Sequence, residues 1–248
     1  MSADAIDRVL PTRRPPGRPI MSQTWSELMF LHWRVPAALL RPLVPAGLEI
    51  DTHDGEAWVG LVPFTVSGSR LRPLPPLPLI GAFHEINVRT YVHRQARDPG
   101  VWFFSLDAAR RLIVAGARAL YHLPYRFARF GLTVEEGAER RVRFTSRRPG
   151  QADVGVALRY GPTAAAQPAA PGTLEHFLAE RYILYAARGR ALYQARVHHT
   201  AYPLQAGAVE VEGETLLAAN GIARPDAPPL AHYAAGVDVD IWPLAKLG

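Results

Sequence analysis

Residues 83–92 read FHEINVRTYV. Ile86, Val88, Thr90 and Val92 are β-branched, and side chains of that shape favour a pleated, packed surface. The stretch therefore reads as a strand. Side chains on a strand alternate between two faces. His84, Ile86, Val88, Thr90 and Val92 share one face; Phe83, Glu85, Asn87, Arg89 and Tyr91 share the other. The second face sets an acid, an amide and a guanidinium in a row, with an aromatic at each end. Alternation alone leaves two readings open: a solvated face with cross-strand ion pairs, or the wall of a pocket. Three neighbours favour the pocket. Phe83 and Tyr91 flank the polar row. The adjoining segments Ala57–Val66 and Val101–Leu106 are apolar on both faces, as doubly buried strands are. The proline-rich run RLRPLPPLPLIGA delivers the chain into this strand and stands where it could roof a cavity.

Working outward, Thr24–Val35 reads as a first strand, and Pro36 suits the first turn of a short helix, PAALLRPL. Leu48–Thr52 and Ala57–Val66 read as a hairpin turning at Asp54-Gly55. After the strand, Asp98-Pro99-Gly100 signals a turn. Asp107 is placed to cap a helix, AARRLIVAGARALYH, whose packed side would be Leu112, Ala115, Ala119 and Leu120. Residues 126–162 read as a three-strand meander with turns at Glu136-Gly137 and Pro149-Gly150. Thr173 caps a helix over LEHFLAERY, and LYAARGRALYQARVHH reads as a hairpin turning near Gly189. About ten short strands, three helices and no βαβ rhythm imply an antiparallel or mixed barrel or sandwich with helices packed outside.

The chain has 248 residues, 48% of them hydrophobic and 20% charged, enough for a sizeable core. A mobile Pro/Arg-rich arm is expected over residues 1–20, and a single domain over 21–248. No cysteine is present, which excludes disulfides, thiolate metal sites and cysteine nucleophiles. No apolar run approaches the roughly 18 residues of a membrane span, and no apolar leader opens the chain; a cytoplasmic protein without a membrane partner is expected. The net charge of +6 rests almost wholly on scattered arginines, with Lys246 the only lysine. Without a basic helix or interleaved aromatics, this pattern reads as a solvated surface rather than a nucleic-acid interface.

No phosphate loop, dinucleotide fingerprint, zinc-helix motif or nucleophile elbow occurs. His198 and His199 are adjacent, so a strand points them apart; neither a metal nor any other cofactor is expected. The best constellation is Glu85, Asn87 and Arg89. Arg89 would grip a carboxylate with its two-pronged guanidinium. Asn87 would orient an oxygen. Glu85 would carry a proton, its pKa set by burial against the pull of the arginine. His32, Tyr121, Tyr125 and Arg126 are further candidates for the same pocket, each with an ordinary packing role as the alternative.

Taken in order, FLHWRVP, FHEINVRTYV, VWFFSLDA, YHLPYRFA, FLAERYILY, YPLQ and GVDVDIWPL resemble the YqjF-like bacterial proteins, a family of uncharacterised function. The resemblance runs from about Trp25 to Leu244. It places the chain in a branch of the acetoacetate decarboxylase-like superfamily and implies an α+β, β-rich fold: a closed, cone-shaped mixed or antiparallel β-barrel with flanking helices and a ligand cavity. The decarboxylases carry their catalytic lysine in a Pro-Lys-Lys segment. The matching stretch here is Pro124-Tyr125-Arg126, without either lysine. The decarboxylase glutamate matches Glu85; the pocket arginine matches Arg34 or Arg89. The resemblance thus implies a cavity for a small anionic, carbonyl or phenolic ligand, without imine chemistry. Whether the ligand is only bound, or is turned over with Glu85 as acid or base in a lysine-independent lyase or isomerase reaction, stays open. A monomer or homodimer is expected, and a nucleic-acid role through the scattered arginines ranks last.

Overall fold

The computed structural model describes residues 6–72, 81–135, 137 and 140–248. Among these residues the chain forms β1 (Met21–Val35), α1 (Ala37–Leu40), β2 (Glu49–Ile50), β3 (Ala57–Leu71), β4 (Phe83–Arg94), β5 (Arg97–Ala108), α2 (Arg111–Tyr121), β6 (Tyr125–Phe127), β7 (Arg129–Glu135), β8 (Arg141–Arg148), β9 (Gln151–Pro162), α3 (Leu174–Ala179), β10 (Ile183–Arg188), β11 (Ala191–His198), β12 (Leu204–Glu214), α4 (Leu216–Ala219), β13 (Leu230–Ile241) and β14 (Ala245–Lys246). The fold is strand-rich and mixed, with few and short helices. No helix is long and apolar enough to cross a membrane among the described residues.

Seven strands close a ring in the order β1, β3, β4, β5, β10, β11, β13. The last contact sets Val197 against Ile241 and His198 against Asp240, which joins β11 to β13 and removes the free edge that an open sheet would present. All neighbours in the ring run antiparallel except β5 and β10. A second sheet, β12-β9-β8-β7, leaves the ring through β13. It folds over the outer face of β1, β3 and β4, where Leu31, Leu61, Ile86 and Val88 pack against Val142, Phe144, Val156 and Leu158. The meander over residues 126–162 supplies three of its strands.

This layering explains strand β4. Its even-numbered face, Ile86 and Val88, lies under the second sheet. Its odd-numbered face turns into the ring, and Phe83, Glu85, Asn87, Arg89 and Tyr91 are all buried. One end of the ring is filled by α3, whose Phe177 and Leu178 pack against Trp58, Tyr91 and Val101. Thr173 caps that helix, its hydroxyl accepting from the His176 N–H.

Several local expectations are corrected. Glu49–Ile50 pairs with β4 rather than with Ala57–Val66, because β3 is held between β1 and β4. The Asp54-Gly55 turn forms, closed by the single bridge His53–Glu56. The β4–β5 turn lies at Gln95-Ala96, both with positive φ. Asp98-Pro99 falls inside β5 at an irregularity in its pairing with β4, where a proline lacking an N–H is tolerated. Asp107 caps no helix: it sits within β5, and the cap position of α2 is Arg110, with no side-chain cap. The expected packed side of α2 is also wrong, since Leu112 and Leu120 are 79% and 69% exposed and Val114 alone is buried. Residues 73–80 of the proline-rich run lie outside the described residues. In residues 6–20, Arg8 pairs with Asp51 and Arg14 with Asp240, and Pro16 accepts from the Trp242 indole.

Candidate functional site

The ring holds a cavity of about 570 Å³, in the range of small-molecule sites, open to solvent on the side where the exposed Leu71, Leu112 and Leu120 line it. Its wall is mostly apolar: Leu28 and Phe30 from β1, Val62 and Phe64 from β3, Phe103 and Leu106 from β5, Leu184 from β10 and Val197 from β11. Ile113, Gly116, Ala117 and Tyr121 of α2 line another side. Into this wall β4 sets its polar row, Glu85, Asn87 and Arg89, which are 4%, 5% and 8% exposed.

Arg89 lies toward α3. Its Nη2 donates to the Leu178 carbonyl at 3.0 Å, and its guanidinium carbon stands 5.5 Å from the Phe30 ring and 5.7 Å from the Tyr91 ring. Those aromatic faces stabilise the cation. Among the described residues no carboxylate lies within ion-pair range of it and its buried Nε–H has no partner. Among the described residues Asn87 Oδ1, also buried, has no partner either. A donor and an acceptor left unsatisfied beside a cavity are groups for which a ligand or water is the natural partner.

Behind Arg89, Tyr91 donates its hydroxyl hydrogen to the Leu178 carbonyl at 2.7 Å and meets His32 Nε2 at 2.6 Å. With its one hydrogen committed, the tyrosine oxygen accepts from His32, so Nε2 carries the imidazole hydrogen. Burial, and then the charge of Arg89, hold the His32 pKa well below the usual histidine value, so this ring stays neutral. His32 thus props the tyrosine and does not line the cavity.

Glu85 lies toward α2. Its two carboxyl oxygens each stand 3.1 Å from the Tyr125 hydroxyl of β6. Burial raises its pKa to about 8, partly opposed by the Tyr125 hydrogen bond and reinforced by the charge of Asp107. Burial also raises the Tyr125 pKa, so the pair is neutral near pH 7. The consequence for stability has a definite sign. Between the ordinary glutamate value of 4.5 and about 8, the folded chain holds a proton that the unfolded chain has released. Stability therefore declines as pH rises through that window, by up to about 1.4 kcal/mol per unit. Glu85→Gln removes the titration. Urea unfolding at pH 5 and pH 8 is expected to show the variant gaining on the wild type at the higher pH; parallel profiles would contradict a buried neutral Glu85.

The structure thus gathers Glu85, Asn87, Arg89, Tyr121 and Tyr125 around one cavity. It does not bring in His32, nor Arg126, which is exposed and outside the lining because β6 alternates Tyr125 inward and Arg126 outward. Lys246 is exposed on β14 and outside the lining. The sequence reading missed Phe30, whose ring lies near the arginine, Phe103, its cross-strand neighbour on β5, and Leu178, whose carbonyl holds it. Phe30 and Phe103 were reachable by the same alternation rule that found Glu85; the Leu178 contact joins residues 89 apart in sequence and left no local signal.

Comparison with known proteins agrees with this architecture. The family DUF2071, described as "Uncharacterized conserved protein", matches residues 22–238. The chain is 40% identical over 232 residues to the uncharacterized protein YqjF of Bacillus subtilis (strain 168), covering 94% of each. Among solved structures it is similar to the enduracididine biosynthesis enzyme MppR complexed with pyruvate (TM-score 0.65, 13% identity, 95% of this chain and 93% of that one). It is similar also to an acetoacetate decarboxylase-like enzyme from Sphingomonas wittichii RW1 (TM-score 0.62, 15% identity, 93% and 94%) and to acetoacetate decarboxylase from Legionella pneumophila (TM-score 0.62, 14% identity, 100% and 98%). At such identities these likenesses establish an acetoacetate decarboxylase-like fold and nothing more.

Proposed function

We propose a small-molecule-binding function for this chain, which belongs to the uncharacterised conserved family DUF2071 and has an acetoacetate decarboxylase-like fold. The ligand is an organic anion, a carboxylate above all, held in the ring cavity by Arg89 with Asn87 beside it. The observation that carries this reading is a buried guanidinium on a cavity wall with no carboxylate within ion-pair range among the described residues. A charge kept out of water without a counterion is costly unless something else compensates it. The pyruvate named with the MppR structure is a small carboxylate on the same fold, and it supports the reading.

A second reading, acid–base catalysis, is favoured by the burial of Glu85 on the same wall, which pushes its pKa up to about 8. A carboxyl with its pKa moved toward the working pH is the form that proton transfer needs. Imine chemistry is not part of either reading. Borohydride treatment in the presence of a β-keto acid is expected to leave no adduct on the protein's single lysine, Lys246; an adduct there would overturn this.

The direct test is a thermal-shift screen of carboxylic acids against their neutral amides and against quinols. Acids are expected to raise the Tm and amides of the same shape to leave it, since a ligand at 100 times its Kd adds about 2.7 kcal/mol. Equal shifts for acids and amides would remove the anion from the proposal. Turnover by the wild type that Glu85→Gln lacks would favour the enzyme, and matched binding without turnover in either would favour a binding protein.

A further inference from the structure

We infer that the ligand of this cavity is an elongated molecule with polar groups at two separated ends: a carboxylate for Arg89 and a neutral carbonyl or hydroxyl oxygen for Glu85 and Tyr125, joined by an apolar body. The inference rests on the anion reading of Arg89 and adds the second station and the distance to it.

The distance follows from the strand. Glu85 and Arg89 are four residues apart on β4, so their backbones stand about 13 Å apart at about 3.3 Å per residue. Their side chains reach toward opposite ends of the cavity. Arg89 is drawn to Leu178 of α3, and Glu85 to Tyr125 of β6, next to α2. A three- or four-carbon acid seated on Arg89 therefore does not touch Glu85.

A count of hydrogens shows why the Glu85 end seeks an acceptor. The neutral carboxyl and the Tyr125 hydroxyl hold two hydrogens between them and contact each other through a single hydroxyl. Whichever of the two donates to the other, one O–H is left over. Both residues line the cavity, so the spare hydrogen is available to a ligand oxygen there. An ionised group is disfavoured at that end, because burial already keeps the carboxyl uncharged.

Between the stations the flanking strands are apolar: Val62 and Leu106, paired with Asn87 on either side, line the cavity, and Asn87 is the one polar group of β4 between Glu85 and Arg89. The volume of about 570 Å³ leaves room for a body of this length. Keto or hydroxy acids with the oxygen far from the carboxylate, on a chain or an aromatic frame, meet all of these conditions.

Calorimetry on the wild-type protein tests this with two homologous series: straight-chain carboxylic acids, and acids of the same lengths bearing a ketone next to the terminal methyl. Short members of the two series are expected to bind alike. Once the chain spans on the order of 10 Å, the keto acids are expected to bind about tenfold or more tighter than their plain counterparts, because a buried donor then finds its acceptor. Glu85→Leu combined with Tyr125→Phe is expected to erase that advantage, since both O–H groups are then gone, and Glu85→Gln, which keeps a neutral donor, to retain much of it. Keto acids no tighter than plain acids at every length would overturn the two-ended ligand while leaving the anion site standing. If no acid binds in either series, the anion reading itself fails. The chain-length comparison needs no variant, so an unfolded double variant does not decide the outcome.

Discussion

Replacing Arg148 by alanine is expected to destabilise the fold by about 3–5 kcal/mol, the cost of leaving one partner of a buried ion pair alone. Arg148 closes β8, and its Nε and Nη2 each donate to an Asp107 carboxylate oxygen at 2.8 Å. Their side chains are 5% and 1% exposed. Burial pushes the Asp107 pKa up, and Arg148 is what pulls it back. Without the arginine, Asp107 either stays charged in an apolar layer or takes up a proton; both cost stability near pH 7, and the loss shrinks as the solution becomes acidic. The pair also ties the second sheet to strand β5 of the ring. Urea unfolding at neutral pH measures the loss. Combining Arg148→Met with Asp107→Leu is expected to recover much of it, since an apolar pair of similar volume needs no counter-charge. A single-variant loss under about 1 kcal/mol would place Arg148 among ordinary surface residues and contradict the burial on which the prediction stands.

Arg89→Gln is expected to have the opposite effect on stability and the largest effect on binding. Arg89 is about as buried as Arg148, yet no carboxylate among the described residues answers its charge. Removing that charge relieves a desolvation cost, so the unliganded variant is expected to be as stable as the wild type or more so. Carboxylate affinity is expected to fall by about 2–5 kcal/mol, the range for losing one member of a buried hydrogen-bonded charge pair, or roughly 30-fold to several thousand-fold in Kd. Tm and calorimetry on the same preparation read both effects. A variant that melts several degrees lower and still binds acids as tightly would make Arg89 a structural residue. Two buried arginines with opposite stability responses are what separate a structural pair from a site awaiting its anion.

Much of this was legible in the chain. The alternation in FHEINVRTYV put Glu85, Asn87 and Arg89 on one face, and the doubly apolar flanking segments pointed that face inward. The meander, the Thr173 cap and the hairpin near Gly189 rest on contacts between residues close in sequence, so local propensity sufficed for them. Asp107 shows where such reasoning fails. An aspartate before a helical pattern has the signature of a cap, and only the return of β8 some 41 residues later supplies the arginine that claims it instead. Leu112 and Leu120 fail in the same way: periodicity locates an apolar stripe on α2, but not whether another element covers it.

The sequence by itself determined the strand-rich class, the absence of thiol chemistry, and the polar row of β4, because composition and a period of two are carried by each segment alone. The tertiary structure decided the rest. Ring closure through Val197 and Ile241, the cover of the second sheet over Ile86 and Val88, and the α3 carbonyl that orients Arg89 all join residues far apart along the chain. Those contacts turn a polar strand face into a cavity wall, since desolvation is set by what surrounds a side chain and not by its neighbours in sequence. Burial of Glu85, which pushes its pKa up to about 8, and of Arg89 with no carboxylate in ion-pair range among the described residues, exists only once the ring has closed around them.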